Sequence, residues 1–144
     1  MGRFVVRAVR NAEDHKKAES LMRRVFCASD FRNKRTKKGS WWLVREASTG
    51  RAVAFCALSD FKKNKHVGYL YISGVDEHYR GNGLQRRMIR VRLRAARLAG
   101  YKRVVAETYN NPESANNLIA CGFRMFKPKI TWSAPGACYW TLTL

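Results

Sequence analysis

Acidic residues are scarce. Asp and Glu number 10 against 29 Lys and Arg, a formal net charge of +19 at pH 7. A field of that sign attracts polyanions such as DNA, RNA, a ribosome or an acidic substrate, and says nothing about fold. Long apolar runs are missing, so no membrane-spanning helix and no membrane partner are expected. The start, Met1-Gly2-Arg3-Phe4-Val5-Val6-Arg7, lacks the apolar centre of a secretory signal. Val6 also stands where a myristoylation motif needs Ser or Thr. The four cysteines, at 27, 56, 121 and 138, form no Cys-x-x-Cys pair, and the histidines at 15, 66 and 78 are scattered. No metal site is expected from such spacing; reduced thiols and a cytoplasmic location are. Repeats and low-complexity segments are absent as well.

What is present fits one domain over residues 1–144, large enough for a real core. Residues 3–9 read as a strand. Asn11 caps a helix predicted over 12–27, with Ala18, Leu21, Met22, Val25 and Phe26 at helical spacing. A polar, basic stretch follows to residue 39. Strands are predicted over 41–46 and 51–58, joined at Ser48-Thr49-Gly50, and then a basic connection over 61–65. Residues 67–75 read as a strand apolar on both faces. A helix is predicted over 84–98, with Leu84, Met88, Val91, Ala95 and Leu98 as its apolar stripe and Gly100 as its stop. After it come a strand over 103–108, a helix opened by Pro112 and stopped by Gly122, a strand from 123, an irregular segment and a last strand over 138–144. Alternating strands and helices of this kind imply a mixed α/β sheet with one βαβ crossover.

The centre of that crossover is Val75-Asp76-Glu77-His78-Tyr79-Arg80-Gly81-Asn82-Gly83-Leu84-Gln85-Arg86. A strand, a glycine turn and a helix start make an anion site, because helix-opening amides lack intrahelical acceptors and the dipole adds positive charge. The turn lacks both the three-glycine dinucleotide pattern and the Gly-Lys-Ser/Thr ending of a P-loop. On local spacing alone the competing reading is a strand-to-helix turn that merely needs glycine. Asp76 and Glu77 are expected on the turn surface.

Two segments carry a resemblance. Arg80-Gly81-Asn82-Gly83-Leu84 after Val75, and Asn111-Pro112-Glu113-Ser114-Ala115 followed by Cys121-Gly122-Phe123, resemble the motifs of the GNAT N-acetyltransferases. The element order is similar over essentially the whole chain. The resemblance implies a mostly antiparallel mixed sheet flanked by helices on both faces, and acetyl-CoA as cosubstrate. It implies that residues Arg80, Gly81, Asn82, Gly83, Leu84, Gln85 and Arg86 hold the pyrophosphate, and that backbone groups around Ser73 and Val75 pair with the pantetheine arm. Asn111 would bond near the same arm. A primary amine would attack the thioester directly, so no protein nucleophile is needed. Cys56 and Cys121 are then small core residues.

Three positions depart from that pattern. Gln85 stands where the motif ends in Gly or Ala. Leu118 stands where the family has the Tyr that protonates the leaving thiolate; Ser114 is the nearest replacement acid, with Tyr109 and Tyr139 behind it. Glu107 stands where an aliphatic residue is common. It is either a base for the attacking ammonium or a solvent-facing or salt-bridged carboxylate.

From 80 to 103 the chain carries Arg80, Arg86, Arg87, Arg90, Arg92, Arg94, Arg97, Lys102 and Arg103 with no acid. Like charges at i, i+4 repel, which points to a polyanion partner rather than an idle basic face. Trp41, Trp42, Phe61 and Tyr69 are core or hairpin cover, or bases stack on them. The resemblance thus implies an acetyl-CoA-dependent N-acetyltransferase, and the charge an amine presented by a nucleic acid, a charged tRNA or a nucleic-acid-bound protein. The alternative is a catalytically inactive basic module of the same fold. Acceptor choice is expected in 28–40 and 127–137.

Overall fold

The computed structural model describes residues 3–26 and 39–144. The order is β1 (Phe4–Ala8), α1 (Ala12–Val25), β2 (Ser40–Glu46), β3 (Ala52–Phe61), β4 (Asn64–Val75), a 3₁₀ turn (Glu77–Tyr79), α2 (Leu84–Leu98), β5 (Arg103–Thr108), α3 (Pro112–Ala120), β6 (Arg124–Phe126) and β7 (Cys138–Thr143). The strands form one seven-stranded, mostly antiparallel sheet in the order β1-β2-β3-β4-β5-β7-β6. Two compact units divide the chain, residues 1–57 with 72–84, and 58–71 with 85–144.

In the first unit β1 pairs antiparallel with β2, from Phe4 opposite Glu46 to Ala8 opposite Trp42. Helix α1 starts where expected because Asn11 Oδ1 accepts the Asp14 N–H at 2.8 Å. Glu13 and Asp14 in its first turn, and Arg23 and Arg24 in its last, complement the helix dipole. It ends at Val25, with Phe26 as cap, two residues short of the expected end; the basic run at 32–38 lies outside the described residues. Trp41, Leu43, Val44, Val53 and Phe55 are fully or almost fully buried, and Trp41 stacks on Phe55 at 6.2 Å. Trp41 and Trp42 are thus core and not base-stacking residues. Gly74 is required by this packing, since a Cβ there would lie 2.8 Å from the Phe55 ring and 2.9 Å from Val25.

In the second unit β4 runs parallel to β5, Val67 opposite Arg103 through Tyr69 opposite Val105. Strand β7 lies antiparallel to β5 and also pairs with β6. The basic connection expected over 61–65 is instead a two-residue hairpin turn between β3 and β4. Lys62 and Lys63 both take positive φ, 48° and 64°. Such turns normally carry Asn-Gly, so Lys-Lys gives no turn signal in sequence.

Helix α2 differs in its buried face. Leu84, Met88, Ile89, Leu93 and Ala96 are buried, whereas Leu98 is 82% exposed. Arg92, counted above with the basic residues, is 2% exposed, and its Nε donates to the Met88 carbonyl at 3.2 Å. A period of 3.6 accommodates either stripe, and tertiary packing chose the one containing Arg92. Helix α3 is capped by Asn111 Oδ1, which accepts the Ser114 N–H at 3.0 Å, and has Pro112 in its first turn. Gly122, φ 96°, ends it: the Phe123 N–H returns to the Leu118 carbonyl at 3.0 Å.

Candidate active site

The glycine turn lies at the end of β4. The Asp76 N–H donates to the Val53 carbonyl at 2.8 Å, which pins the end of the strand. Asp76 Oδ1 then accepts the His78 N–H at 3.0 Å and opens the 3₁₀ turn. Asn82 Nδ2 donates to the Tyr79 carbonyl at 2.8 Å, so the Asn82 side chain braces the turn. Gly81 and Gly83 take φ of 82° and 72°, a region L side chains avoid. The direction in which their Cβ atoms would point is open, with nothing within 4 Å. Arg80, Gly81, Asn82 and Gly83 are exposed, while the Leu84 side chain is buried, leaving its backbone as the group a ligand could meet.

Helix α2 has no acidic residue in its first turn. Gln85 is half-buried, and Arg86 and Arg87 are exposed there. The Arg86 Nε donates to Asn117 Oδ1 on α3 at 2.9 Å, and Cys121 Sγ lies 4.0 Å from the Arg86 carbonyl oxygen. Cys121 is therefore half-buried and not a core residue, unlike Cys56, which is fully buried. An open, glycine-walled turn leading into a helix with basic residues at its start fits a diphosphate ester.

Asp76 is a correction. It is not on the surface: its side chain is 9% exposed, with Arg24 and Arg51 guanidinium nitrogens at 3.8 and 3.7 Å. Glu77 is exposed as expected.

A second group of candidate side chains lies in the second unit. Glu107 on β5 is half-buried. Tyr69 OH donates to its Oε1, and Trp132 Nε1 donates to its Oε2 at 3.0 Å. Neither reading of Glu107 as solvent-facing nor as salt-bridged holds; two neutral donors satisfy it, and it makes no ion pair among the described residues. Burial, and then the Glu107 charge and hydrogen bond, push the Tyr69 hydroxyl far above the ordinary tyrosine range. Tyr69 thus remains a proton donor to the carboxylate at physiological pH.

Trp132 packs edge-on against Phe61 at 4.7 Å and Tyr139 at 4.4 Å, and Tyr69 meets Phe61 at 5.4 Å. The Tyr139 hydroxyl accepts the Ser133 N–H at 3.1 Å, tying the segment around Trp132 to β7. Phe61 and Tyr69 therefore belong to an aromatic wall around Glu107. Tyr69 and Tyr71 share one face by strand alternation, which is readable in sequence; Trp132, in a segment without pattern, is not.

Of the other expected residues, Ser73 is half-buried and Val75 buried at the end of β4. Ser114 is half-buried in the first turn of α3, and Asn111 is exposed with its Oδ1 engaged in the cap. Leu118 is buried and brings no hydroxyl; Tyr109 is 58% exposed. Among the described residues no group of three or more His, Cys, Asp and Glu is placed to hold a metal ion.

The acetyltransferase (GNAT) family model matches residues 6–123. The chain belongs to this acetyltransferase family. Solved structures share the fold. An acetyltransferase from Streptococcus agalactiae aligns over 100% of both chains at 15% identity, with a TM-score of 0.73. An IAA acetyltransferase from Bacillus cereus aligns over 98% of this chain and 99% of its own, at 16% identity and a TM-score of 0.75. A GNAT family acetyltransferase from Elizabethkingia anophelis, solved with acetyl-CoA bound, aligns over 100% of both chains at 13% identity and a TM-score of 0.68. No curated protein sequence matches the chain.

Proposed function

We propose that the protein transfers an acetyl group from acetyl-CoA to a primary amine by direct attack. The observation that carries this reading is the exposed turn with Gly81 and Gly83 at positive φ, opening an acid-free helix in a chain of the acetyltransferase family. Acetyl-CoA supplies the activated thioester. The residues Arg80, Gly81, Asn82, Gly83, Leu84, Gln85 and Arg86 hold its pyrophosphate, the backbone of Ser73 and Val75 holds the pantetheine arm, and Asn111 is the further residue assigned to the coenzyme. A backbone N–H near Val75 polarises the carbonyl. Glu107 takes the proton of the attacking ammonium, directly or through one water, and Ser114 returns a proton to the leaving thiolate.

The amine is presented by a nucleic acid or a nucleic-acid-bound protein. The support is α2: Arg90, Arg94 and Arg97 are exposed and make no ion pair among the described residues, and the chain carries +19. Charge of this kind docks phosphate backbones and makes binding salt-dependent.

Titration with acetyl-CoA tests the first part. At a concentration 100 times its Kd the coenzyme should add about 2.7 kcal/mol to folding stability. No thermal shift at millimolar acetyl-CoA would remove the catalytic reading. Steep salt dependence of RNA or DNA binding would then leave the inactive basic module in its place. A screen with labelled acetyl-CoA across protein, tRNA and DNA fractions identifies the acceptor.

A further inference from the structure

The acetyl-transfer reading makes no use of the buried Asp76, and of the cleft beside it uses only Arg80. The cleft holds about 230 Å³ and is lined by Arg24, Val25, Arg51, Asp76, Glu77, His78 and Arg80. That is several times the roughly 30 Å³ of a water molecule. Three guanidiniums reach it from separate places: the end of α1, the approach to β3 and the glycine turn. A buried carboxylate is costly without cations, and Asp76 has two. Yet Arg24 Nη1 and Arg51 Nη2 stand at 3.8 and 3.7 Å from Asp76 Oδ2, beyond hydrogen-bond reach. Their side chains are 48% and 50% exposed, and Arg80 makes no ion pair among the described residues. Asp76 thus holds two arginines in place without consuming their donors. Glu77 does not quench them: among the described residues it makes no ion pair with an arginine, and its Oε1 lies 3.6 Å from His78 Nε2, with both side chains 75% exposed. Guanidinium forks converging on a polar cleft suit a tetrahedral oxyanion, each able to give two parallel N–H bonds.

We propose that this cleft is an anion subsite for a terminal phosphate group. Two carriers present that chemistry at an acetyl-transfer site: the 3′-phosphate of the coenzyme and a phosphate of the acceptor. Only this choice of carriers rests on the acetyltransferase reading. Asp76 is a positioning residue for the subsite; Arg24 and Arg51 are its ligands.

The test is calorimetric titration of the full chain with inorganic phosphate at constant ionic strength. Arg24→Gln, Arg51→Gln and Arg51→Lys are compared, with melting temperatures measured in parallel. Each single substitution leaves Asp76 one arginine, so the fold is expected to persist. Either Gln variant should weaken phosphate binding about tenfold, the loss of one charge-assisted contact. Arg51→Lys should recover part of it, because the charge returns without the fork. Acetyl-CoA and its 3′-dephospho form then separate the carriers. A preference for acetyl-CoA that Arg51→Gln erases assigns the subsite to the coenzyme. Equal binding of the two forms in both proteins, with phosphate binding lost in the variant, assigns it to the acceptor. Wild-type protein that does not bind phosphate, or well-folded Gln variants that bind it unchanged, overturns the subsite. If acetyl-CoA still binds in that case, the acetyltransferase reading stands; if it does not, that reading fails separately.

Discussion

Replacing Glu107 by Gln isolates the chemistry of the carboxylate from its packing. The substituted amide would have the same shape and a different hydrogen-bond polarity. Trp132 Nε1 can only donate, so the amide oxygen must face it, in place of Oε2 at 3.0 Å. The amide nitrogen then faces Tyr69, whose hydroxyl can turn to accept. Both contacts survive, but each changes from charge-assisted to neutral. That difference is about 1 kcal/mol per bond, so the fold should lose about 2 kcal/mol at most. A stopped general base costs far more in rate, about 10²–10⁴-fold. The expected outcome is therefore a modest drop in melting temperature with kcat down at least about a hundredfold. Tyr69 supplies an independent readout. Burial is the first cause of its raised pKa, and the Glu107 charge and hydrogen bond come next. In Glu107→Gln its ultraviolet titration should move back towards the ordinary tyrosine range without reaching it. Activity within tenfold of wild type would refute Glu107 as the base. A Tyr69 titration that does not move would refute the hydrogen-bonded pair itself.

Three further outcomes follow from the same geometry. Lys62 and Lys63 occupy a hairpin turn at positive φ, so replacing the pair by Asn-Gly should raise folding stability by about 1 kcal/mol or more, read by chemical denaturation. Alkaline pH should destabilise the second unit. Burial, and then the hydrogen bond its hydroxyl donates to Asp60, raise Tyr101 to about 12, above its ordinary 10.0. Between those values the folded state binds more protons than the unfolded chain, so stability is full below about pH 10 and declines towards about pH 12. Tyr101→Phe should flatten that decline; an unchanged slope would count against the Asp60 pair. Gln85→Gly should tighten acetyl-CoA binding in calorimetry by removing a side chain from the turn proposed to hold the pyrophosphate, at about 1 kcal/mol of helix stability. No change in affinity would show that the Gln85 side chain points away from the ligand.

The local features are legible where one residue type has one physical use. Asn11 and Asn111 mark helix starts because their side chains cap, and Gly122 marks a stop because it tolerates φ 96°. Gly81 and Gly83 mark a turn from sequence alone, because both take the positive φ that L side chains avoid. Misreadings arise where several structures satisfy one pattern. The stripe of α2 is displaced because a helix of mixed Arg and aliphatic residues offers more than one apolar face. Lys62-Lys63 reads as a connection because nothing in its chemistry favours a turn.

The sequence by itself determined the order of elements, the excess of positive charge and the glycine turn, since each depends on neighbours a few residues apart. Only the tertiary structure decided that Asp76 is buried between Arg24 and Arg51, and that Glu107 meets Tyr69 and Trp132. Those partners are 52, 25, 38 and 25 positions away along the chain. Strand register and burial bring such residues together, and neither is a property of any short stretch of sequence.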